Sequence, residues 1–219
     1  MIQFIYRKVV GALFHVEESF ARSHLPAGLH PLDFRLGSAI CSLMVFDFVD
    51  SEVGPYTELA MTLYVPPDAR PGEPMPEVGI FPWILATSTE PARRLAAERL
   101  SLPGYPRDVG ARFESDGTSE RVEVFEGEQP ILSLQVEKRN HKRTERLFQC
   151  FTRGSEGLLQ SPVTMAGGFA EHEEELGRLE LFDHPLVAAL DRALDDEVPF
   201  REQVADAGQQ TFRGMERWR

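Results

Sequence analysis

The segment from Asp47 to Val65, DFVDSEVGPYTELAMTLYV, consists of an apolar run, a turn at Gly54-Pro55 and a second apolar run. This order is typical of a β-hairpin, because glycine and proline favour the turn. Side chains of the second strand alternate between two faces. One face carries Leu59, Met61, Leu63 and Val65, and the other carries Glu58, Ala60, Thr62 and Tyr64. The first face is predicted to pack in a core, whereas the second meets either solvent or a cavity.

Length and composition predict a single domain over residues 1–219. Apolar residues make up 42% of the chain, which is enough for a substantial core. No run reaches the roughly 18 uncharged apolar residues of a membrane helix, and the amino terminus has no signal-peptide pattern. We therefore expect a cytoplasmic protein with no membrane partner. The polar segment 197–219 is expected to form a C-terminal tail.

The charge of the chain argues against nucleic acid as a main partner. The formal net charge is −12, and nucleic-acid binding depends on neutralising phosphates. The one basic cluster, Lys138–Arg143, lies between two strand-like runs and is interpreted as a solvated hairpin tip rather than a phosphate contact. Cys41 and Cys150 lie in apolar runs, which is typical of buried, reduced thiols rather than of a disulfide or metal site.

Short strand-like runs separated by turn signals predict a mainly β (α+β) fold, arranged as an antiparallel meander or barrel. The proline-rich segment 66–76 is predicted to be a surface loop. Within the strand-like run 78–86, Pro82 indicates a sheet edge or a bulge. A hydroxyl cap and a first-turn proline predict a helix that begins near residue 88 and ends at Leu100. Another helix is expected within 183–194.

Searches for catalytic and binding motifs return mostly negative results. The chain contains no phosphate-binding glycine loop, dinucleotide fingerprint, paired metal-binding cysteines or serine nucleophile motif. His172 lies in the acidic run 171–175, which is interpreted as an exposed charged surface in preference to a metal site. We therefore expect neither a metal nor a cofactor.

Four segments, in order along the chain, resemble the acetoacetate decarboxylase family. They are LPAGL at 25–29, DSEVGPYTE at 50–58, GYPRD at 104–108 and LFDHPL at 181–186. The resemblance implies a cone-like antiparallel β-barrel with a few peripheral helices and a closed apolar pocket for a small keto acid. It also implies assembly into a homo-oligomer.

The resemblance fails at the residues that matter most for the family's reaction. Two lysines follow the proline of the GYP segment in the family, and the first forms a Schiff base with the substrate ketone. Arg107 and Asp108 occupy those positions here. An arginine cannot form the imine, because its guanidinium stays protonated. The chain has only three lysines, Lys8, Lys138 and Lys142.

The remaining family positions place Glu58 in the pocket, so the resemblance favours the cavity over solvent for its face. An ungapped count places Leu43 where the family has a further carboxylate. Glu58 and Arg107 are expected either to form a buried salt bridge or to act together. In the second case Arg107 grips a substrate carboxylate while Glu58 or Asp108 serves as general acid or base. The residues expected to contact the ligand besides these are Tyr56, Tyr64, Tyr105 and Leu43.

Three functions follow from this reading. The preferred one is a barrel that binds a small organic acid or acyl ligand without decarboxylating it through a lysine imine. The second is a lyase that uses a lysine from elsewhere or non-covalent acid–base chemistry. The third is a structural or interaction protein whose acidic carboxyl-terminal region contacts a partner.

Overall fold

A computed structural model describes residues 1–32, 37–155 and 157–218. More than half of the described residues lie in strands, which confirms a mainly β fold. The first six strands are β1 (Ile2–Glu17), β2 (Ser38–Asp50), β3 (Tyr56–Val65), β4 (Val78–Thr87), β5 (Gly110–Ser115) and β6 (Ser119–Glu126). The others are β7 (Gln129–Glu137), β8 (Lys142–Gly154), β9 (Gly157–His172), β10 (Arg178–Leu181), β11 (Arg201–Phe212) and β12 (Glu216–Arg217). The helices are α1 (Glu18–His24), α2 (Glu90–Leu100) and α3 (Ala188–Asp191).

Seven of these strands close into a barrel, in the order β11-β1-β2-β3-β4-β8-β9, and β9 pairs again with β11. The predicted barrel is therefore confirmed. Its pairings are antiparallel apart from the one between β4 and β8, which is parallel. Parallel neighbours need a long crossover connection. Here that connection contains α2 and the strands β5, β6 and β7 of a second sheet.

The second sheet has four strands in the order β10-β7-β6-β5 and packs against the outside of the barrel. The apolar residues between the two layers are fully buried and include Val10, Leu63, Val122 and Leu134. In the basic cluster Lys138–Arg143, residues 138–141 join β7 of this sheet to β8 of the barrel and the last two residues begin β8, so the cluster is a link between sheets and not a hairpin tip. Lys138 and Arg139 both form ion pairs there, with Glu120 and Glu174.

The hairpin predicted around Gly54-Pro55 is formed by β2 and β3, with Phe46 opposite Glu58. Gly54 has a φ of 84°, a left-handed conformation that glycine adopts without steric cost. The Ser51 hydroxyl holds the turn, since it accepts a hydrogen bond from the Val53 N–H and donates to the Gly54 carbonyl. The turn fixes the register of β3 and therefore the face on which Glu58 lies.

Pro82 lies at a bulge in β4, as the sequence predicted. Thr62 of β3 is opposite Pro82 and Met61 is opposite Ile84, so Trp83 is an extra residue in the ladder. A bulge accommodates a proline inside a sheet because the ladder is already interrupted there. The predicted helix start is also confirmed, since the Thr89 side chain accepts a hydrogen bond from the Ala92 N–H at the beginning of α2.

The expected C-terminal tail of 197–219 is wrong. Most of this segment is β11, which pairs with β1 on one side and β9 on the other. Both partners are distant in sequence, so no local pattern reveals the pairing. The second predicted helix is much shorter than expected, because within 183–194 only Ala188–Asp191 is helical. Cys41 and Cys150 are buried free thiols, as predicted.

A buried carboxylate fastens the second sheet to the barrel. Glu120 of β6 has a side chain that is only 1% exposed. It accepts hydrogen bonds from Lys8 Nζ of β1 at 2.6 Å and from Lys138 Nζ at 2.9 Å, as well as from the Ser115 hydroxyl. Two cations therefore share one carboxylate between the layers.

We predict that Glu120→Gln lowers the free energy of unfolding by about 2 to 3 kcal/mol. This loss is smaller than the loss expected for breaking a fully buried ion pair, because the ammonium groups of Lys8 and Lys138 keep some contact with water. Glu123→Gln, on the same strand but 42% exposed, should cost less than about 1 kcal/mol. Denaturant unfolding measures the free energy of unfolding of the wild type and of both variants. Equal losses in the two variants would show that Glu120 stabilises the protein no more than an exposed carboxylate does.

Candidate functional site

The barrel encloses a cavity of about 90 Å³. The residues of β3 that line it are Glu58, Ala60, Thr62 and Tyr64, the set that the alternation assigned to the second face. Most of the other lining residues are apolar, from all seven barrel strands. In the described residues, no group of three or more His, Cys, Asp or Glu side chains forms a metal site. The face of β3 that the sequence left open between solvent and cavity thus faces the cavity.

Glu58 lies at the closed end of this cavity. Leu95, Leu100 and Leu102, from α2 and the loop after it, close this end together with Phe212 of β11. Burial raises the pKa of the Glu58 carboxyl from its ordinary value of 4.5 to about 8. A hydrogen bond from the Tyr56 hydroxyl to Glu58 Oε2, at 3.4 Å, acts in the opposite direction but is weaker. Glu58 is therefore mainly protonated and neutral at pH 7.

Further polar groups line the wall of the cavity. The hydroxyls of Ser42 and Thr62 hydrogen-bond to each other at 2.5 Å across β2 and β3. Tyr64 lines the cavity six residues beyond Glu58 on the same strand, and burial raises the pKa of its phenol to about 12. The Tyr64 hydroxyl therefore stays protonated and can donate a hydrogen bond at any ordinary pH.

Arg107 and Asp108 do not join Glu58. The Arg107 side chain is 65% exposed and pairs with Glu126, and the Asp108 side chain is 62% exposed and pairs with Arg93. The reason is the path of the loop after α2, which runs along β4. The Leu85 N–H donates to the Pro103 carbonyl, and the Tyr105 and Val109 N–H groups donate to carbonyls of Leu85 and Thr87. The expected Glu58–Arg107 salt bridge is wrong, since this path leaves both loop side chains outside the cavity.

Tyr105 and Leu43 also lie outside the cavity. The Tyr105 hydroxyl donates to Glu126 Oε2 at 2.8 Å, and the buried ring of His184 approaches the same carboxylate. Leu43 is completely buried, on the face of β2 opposite the cavity. Its neighbours Ser42 and Met44 line the cavity instead, because successive side chains of a strand point in opposite directions.

None of the three lysines lines the cavity. Lys8 Nζ is bound to Glu120 and Asp206, Lys138 is bound to Glu120, and Lys142 is exposed. Burial lowers the pKa of Lys8, but its hydrogen bonds to Asp206 and Glu120 outweigh that effect, so the net pKa is raised. A lysine that holds its proton this tightly is a poor nucleophile.

Sequence reasoning missed Arg146, a cation that does line the cavity. Its side chain is 11% exposed and pairs with Glu171. The basic cluster recognised in the sequence ends at Arg143, so Arg146 was not singled out. The signal was available, because Arg146, Phe148 and Cys150 alternate along β8 and all three face the cavity.

The raised pKa of Glu58 predicts a stability that depends on pH. A carboxyl that holds its proton more tightly when folded weakens the fold as pH rises from its unfolded pKa of 4.5 to its folded pKa of about 8. Glu58→Gln removes this loss. The free energy of unfolding of Glu58→Gln minus that of the wild type should therefore increase by a few kcal/mol between pH 5 and 8, at about 1.4 kcal/mol per unit of pKa shift.

Denaturant unfolding at several pH values measures this difference, with Glu123→Gln as the exposed control. The control should show a constant offset over the same range. A difference for Glu58→Gln that stays constant from pH 5 to 8 would mean that the carboxyl titrates near its ordinary value.

No family model and no curated protein matches the chain. Solved structures do match over almost its full length. Acetoacetate decarboxylase from Legionella pneumophila is 14% identical with a TM-score of 0.72, and the match covers 98% of this chain and 86% of that one. The enduracididine biosynthesis enzyme MppR, complexed with pyruvate, is 13% identical with a TM-score of 0.64, over 99% and 90% of the two chains.

A third structure is an acetoacetate decarboxylase-like enzyme from Sphingomonas wittichii RW1. It is 13% identical with a TM-score of 0.60, and the match covers 99% of this chain and 92% of that one. Identities this low support a statement about the fold. The chain therefore has the fold of acetoacetate decarboxylase and of the enzymes built like it.

Proposed function

We propose that this protein binds a small organic acid, such as a keto acid, or an acyl ligand in the barrel cavity, and does so without a lysine imine. The observation that carries the proposal is the position of Glu58, a carboxyl that lines a mainly apolar cavity inside the barrel and has its pKa raised to about 8. No lysine lines that cavity. The pyruvate complex of MppR, a protein of the same fold, also supports a keto acid as ligand.

The cavity offers each part of such a ligand a matching group. A protonated Glu58 donates a hydrogen bond to a carbonyl or carboxylate oxygen, as does the hydroxyl of Tyr64. The apolar walls bury the carbon atoms, at about 25 cal/mol for each Å² removed from water. A ligand of a few carbons is thus held by its oxygen atoms and enclosed by the barrel.

A second candidate is a lyase that uses non-covalent acid–base chemistry. A general acid or base works best when its pKa lies near the working pH, and the pKa of Glu58 meets that condition. A lyase based on Lys8 has less support, because Lys8 is paired with two carboxylates outside the cavity. The third alternative, an interaction protein, relied on the acidic carboxyl-terminal region as a contact surface. It has less support, because that region contains β11 of the barrel. A homo-oligomer and a cytoplasmic location remain predictions.

Borohydride trapping tests the absence of an imine. We expect no covalent mass increase when the protein is incubated with acetoacetate and then reduced, because no lysine reaches the cavity. Intact-mass spectrometry gives the readout, and a lysine-containing decarboxylase treated in parallel shows that trapping works. A mass increase located on Lys8, Lys138 or Lys142 would favour the lysine-imine lyase instead.

Ligand binding itself is tested by thermal unfolding with a panel of keto acids and acyl compounds. A ligand at 100 times its dissociation constant adds about 2.7 kcal/mol to the free energy of unfolding, so the midpoint should rise. Glu58→Leu, which removes the hydrogen-bond donor, should reduce that rise, whereas Glu123→Gln should leave it unchanged. A panel that produces no rise at saturating concentration would remove the support for a binding function.

A further inference from the structure

The cavity has a cation as well as a neutral acid. Arg146 lies with its Cζ atom 5.1 Å from the centre of the Phe169 ring, and its Nη2 atom binds Glu171. A guanidinium has five N–H donors. Within the described residues, Arg146 donates hydrogen bonds only from Nη2. Donors on the other nitrogen atoms remain for a ligand.

The surroundings of Arg146 hold it in place. Glu171 also accepts a hydrogen bond from Gln203 Nε2 at 3.0 Å, and its carboxylate lies 3.4 Å from Arg201 Nη1. The exposed fraction rises from 11% for Arg146 to 19% for Glu171 and 37% for Arg201. This gradient identifies the Arg146 end as the mouth of the cavity, and Arg201 as the outer partner of Glu171.

Arg146 and Glu58 lie at opposite ends of the cavity. Five residues of β11 line it, among them Gln203, which lies beside Glu171, and Gln210, which lies beside Glu58. Gln203 and Gln210 are seven positions apart, so they are separated by less than about 23 Å along β11, because the strand rises roughly 3.3 Å per residue and has a bulge between Asp206 and Gln209. A four-carbon acid is too short to reach both ends.

The wall between the two ends is apolar. The side chains that form it include Val9, Met44, Phe46, Ile80, Phe148 and Met165. Because about 90 Å³ is distributed between the two ends, the space is narrow. A narrow apolar passage fits an unbranched hydrocarbon chain better than a branched or polar molecule.

We propose that the cavity binds an elongated aliphatic monocarboxylate, with its carboxylate on Arg146 and its chain directed along the apolar wall towards Glu58. The inference rests on the proposed function and extends it by assigning a ligand class and an orientation. A carboxylate accepts two N–H bonds from a guanidinium, which gives both affinity and direction. The neutral Glu58 at the closed end brings no charge that would repel the ligand.

Calorimetric titration with butanoate, hexanoate, octanoate and decanoate tests the ligand class. Each added methylene should tighten binding about fourfold, as expected for burying one CH₂, until the chain reaches the closed end. A dissociation constant that stays constant or rises from butanoate to octanoate would overturn the inference. If butanoate and acetoacetate still bind and Glu58→Leu weakens them, the proposed function holds without this inference. No binding by any acid would remove both.

The orientation is tested with Arg146→Gln and with 1-octanol, which has the chain of octanoate but no carboxylate. We expect the variant to weaken octanoate binding tenfold or more and to leave 1-octanol binding unchanged. Arg201→Gln is the matched control, because it removes the other cation on Glu171 without changing the cavity wall. An equal loss for octanoate and 1-octanol in Arg146→Gln, or an equal effect of both variants on octanoate, would contradict a carboxylate on Arg146.

Discussion

The backbone hydrogen bonds that join β11 to both β1 and β9 are the interaction on which the rest of the molecule depends. They close the barrel and leave no free edge in the seven-stranded ring. Closure also isolates the interior from bulk water. The raised pKa of Glu58 follows directly, since burial is its main cause. An open sheet with the same residues would leave this carboxyl hydrated and ionised at pH 7.

The barrel wall is a single layer that separates two apolar regions. Alternate residues of β3 contribute to each, with Leu59 and Met61 facing the second sheet and Ala60 facing the cavity. The outer region is packed and continuous, and Glu120 ties its two layers together with Lys8 and Lys138. Two of the three lysines are therefore part of the structural interface. Among the described residues, the cavity wall therefore has carboxyl, hydroxyl, amide, thiol and guanidinium groups but no amine.

Local sequence features predicted the local structure well. The hairpin at Gly54-Pro55, the bulge at Pro82 and the cap at Thr89 each depend on neighbouring residues, and each was confirmed. Features set by distant contacts were not predictable in this way. The sequence of β11 is largely polar, and its partner strands lie about 40 and 200 positions away along the chain. No local pattern therefore shows that this segment forms a strand. The alternation predicted which residues share a face with Glu58, and the family resemblance was needed to assign that face to the cavity, whereas the position of Arg107 depends on how its loop runs along β4.

The carboxyl of Glu58 has a cost in stability that an amide of the same shape would not have. A glutamine at this position could accept the hydrogen bond from Tyr56 and donate one into the cavity. It would also avoid the loss of stability that a carboxyl with a raised pKa imposes as pH rises towards 8. The carboxyl offers one property that the amide lacks, a proton that can leave and return near neutral pH. A ligand held only by hydrogen bonds could be bound by the amide as well, whereas the second candidate, a lyase with acid–base chemistry, requires the carboxyl.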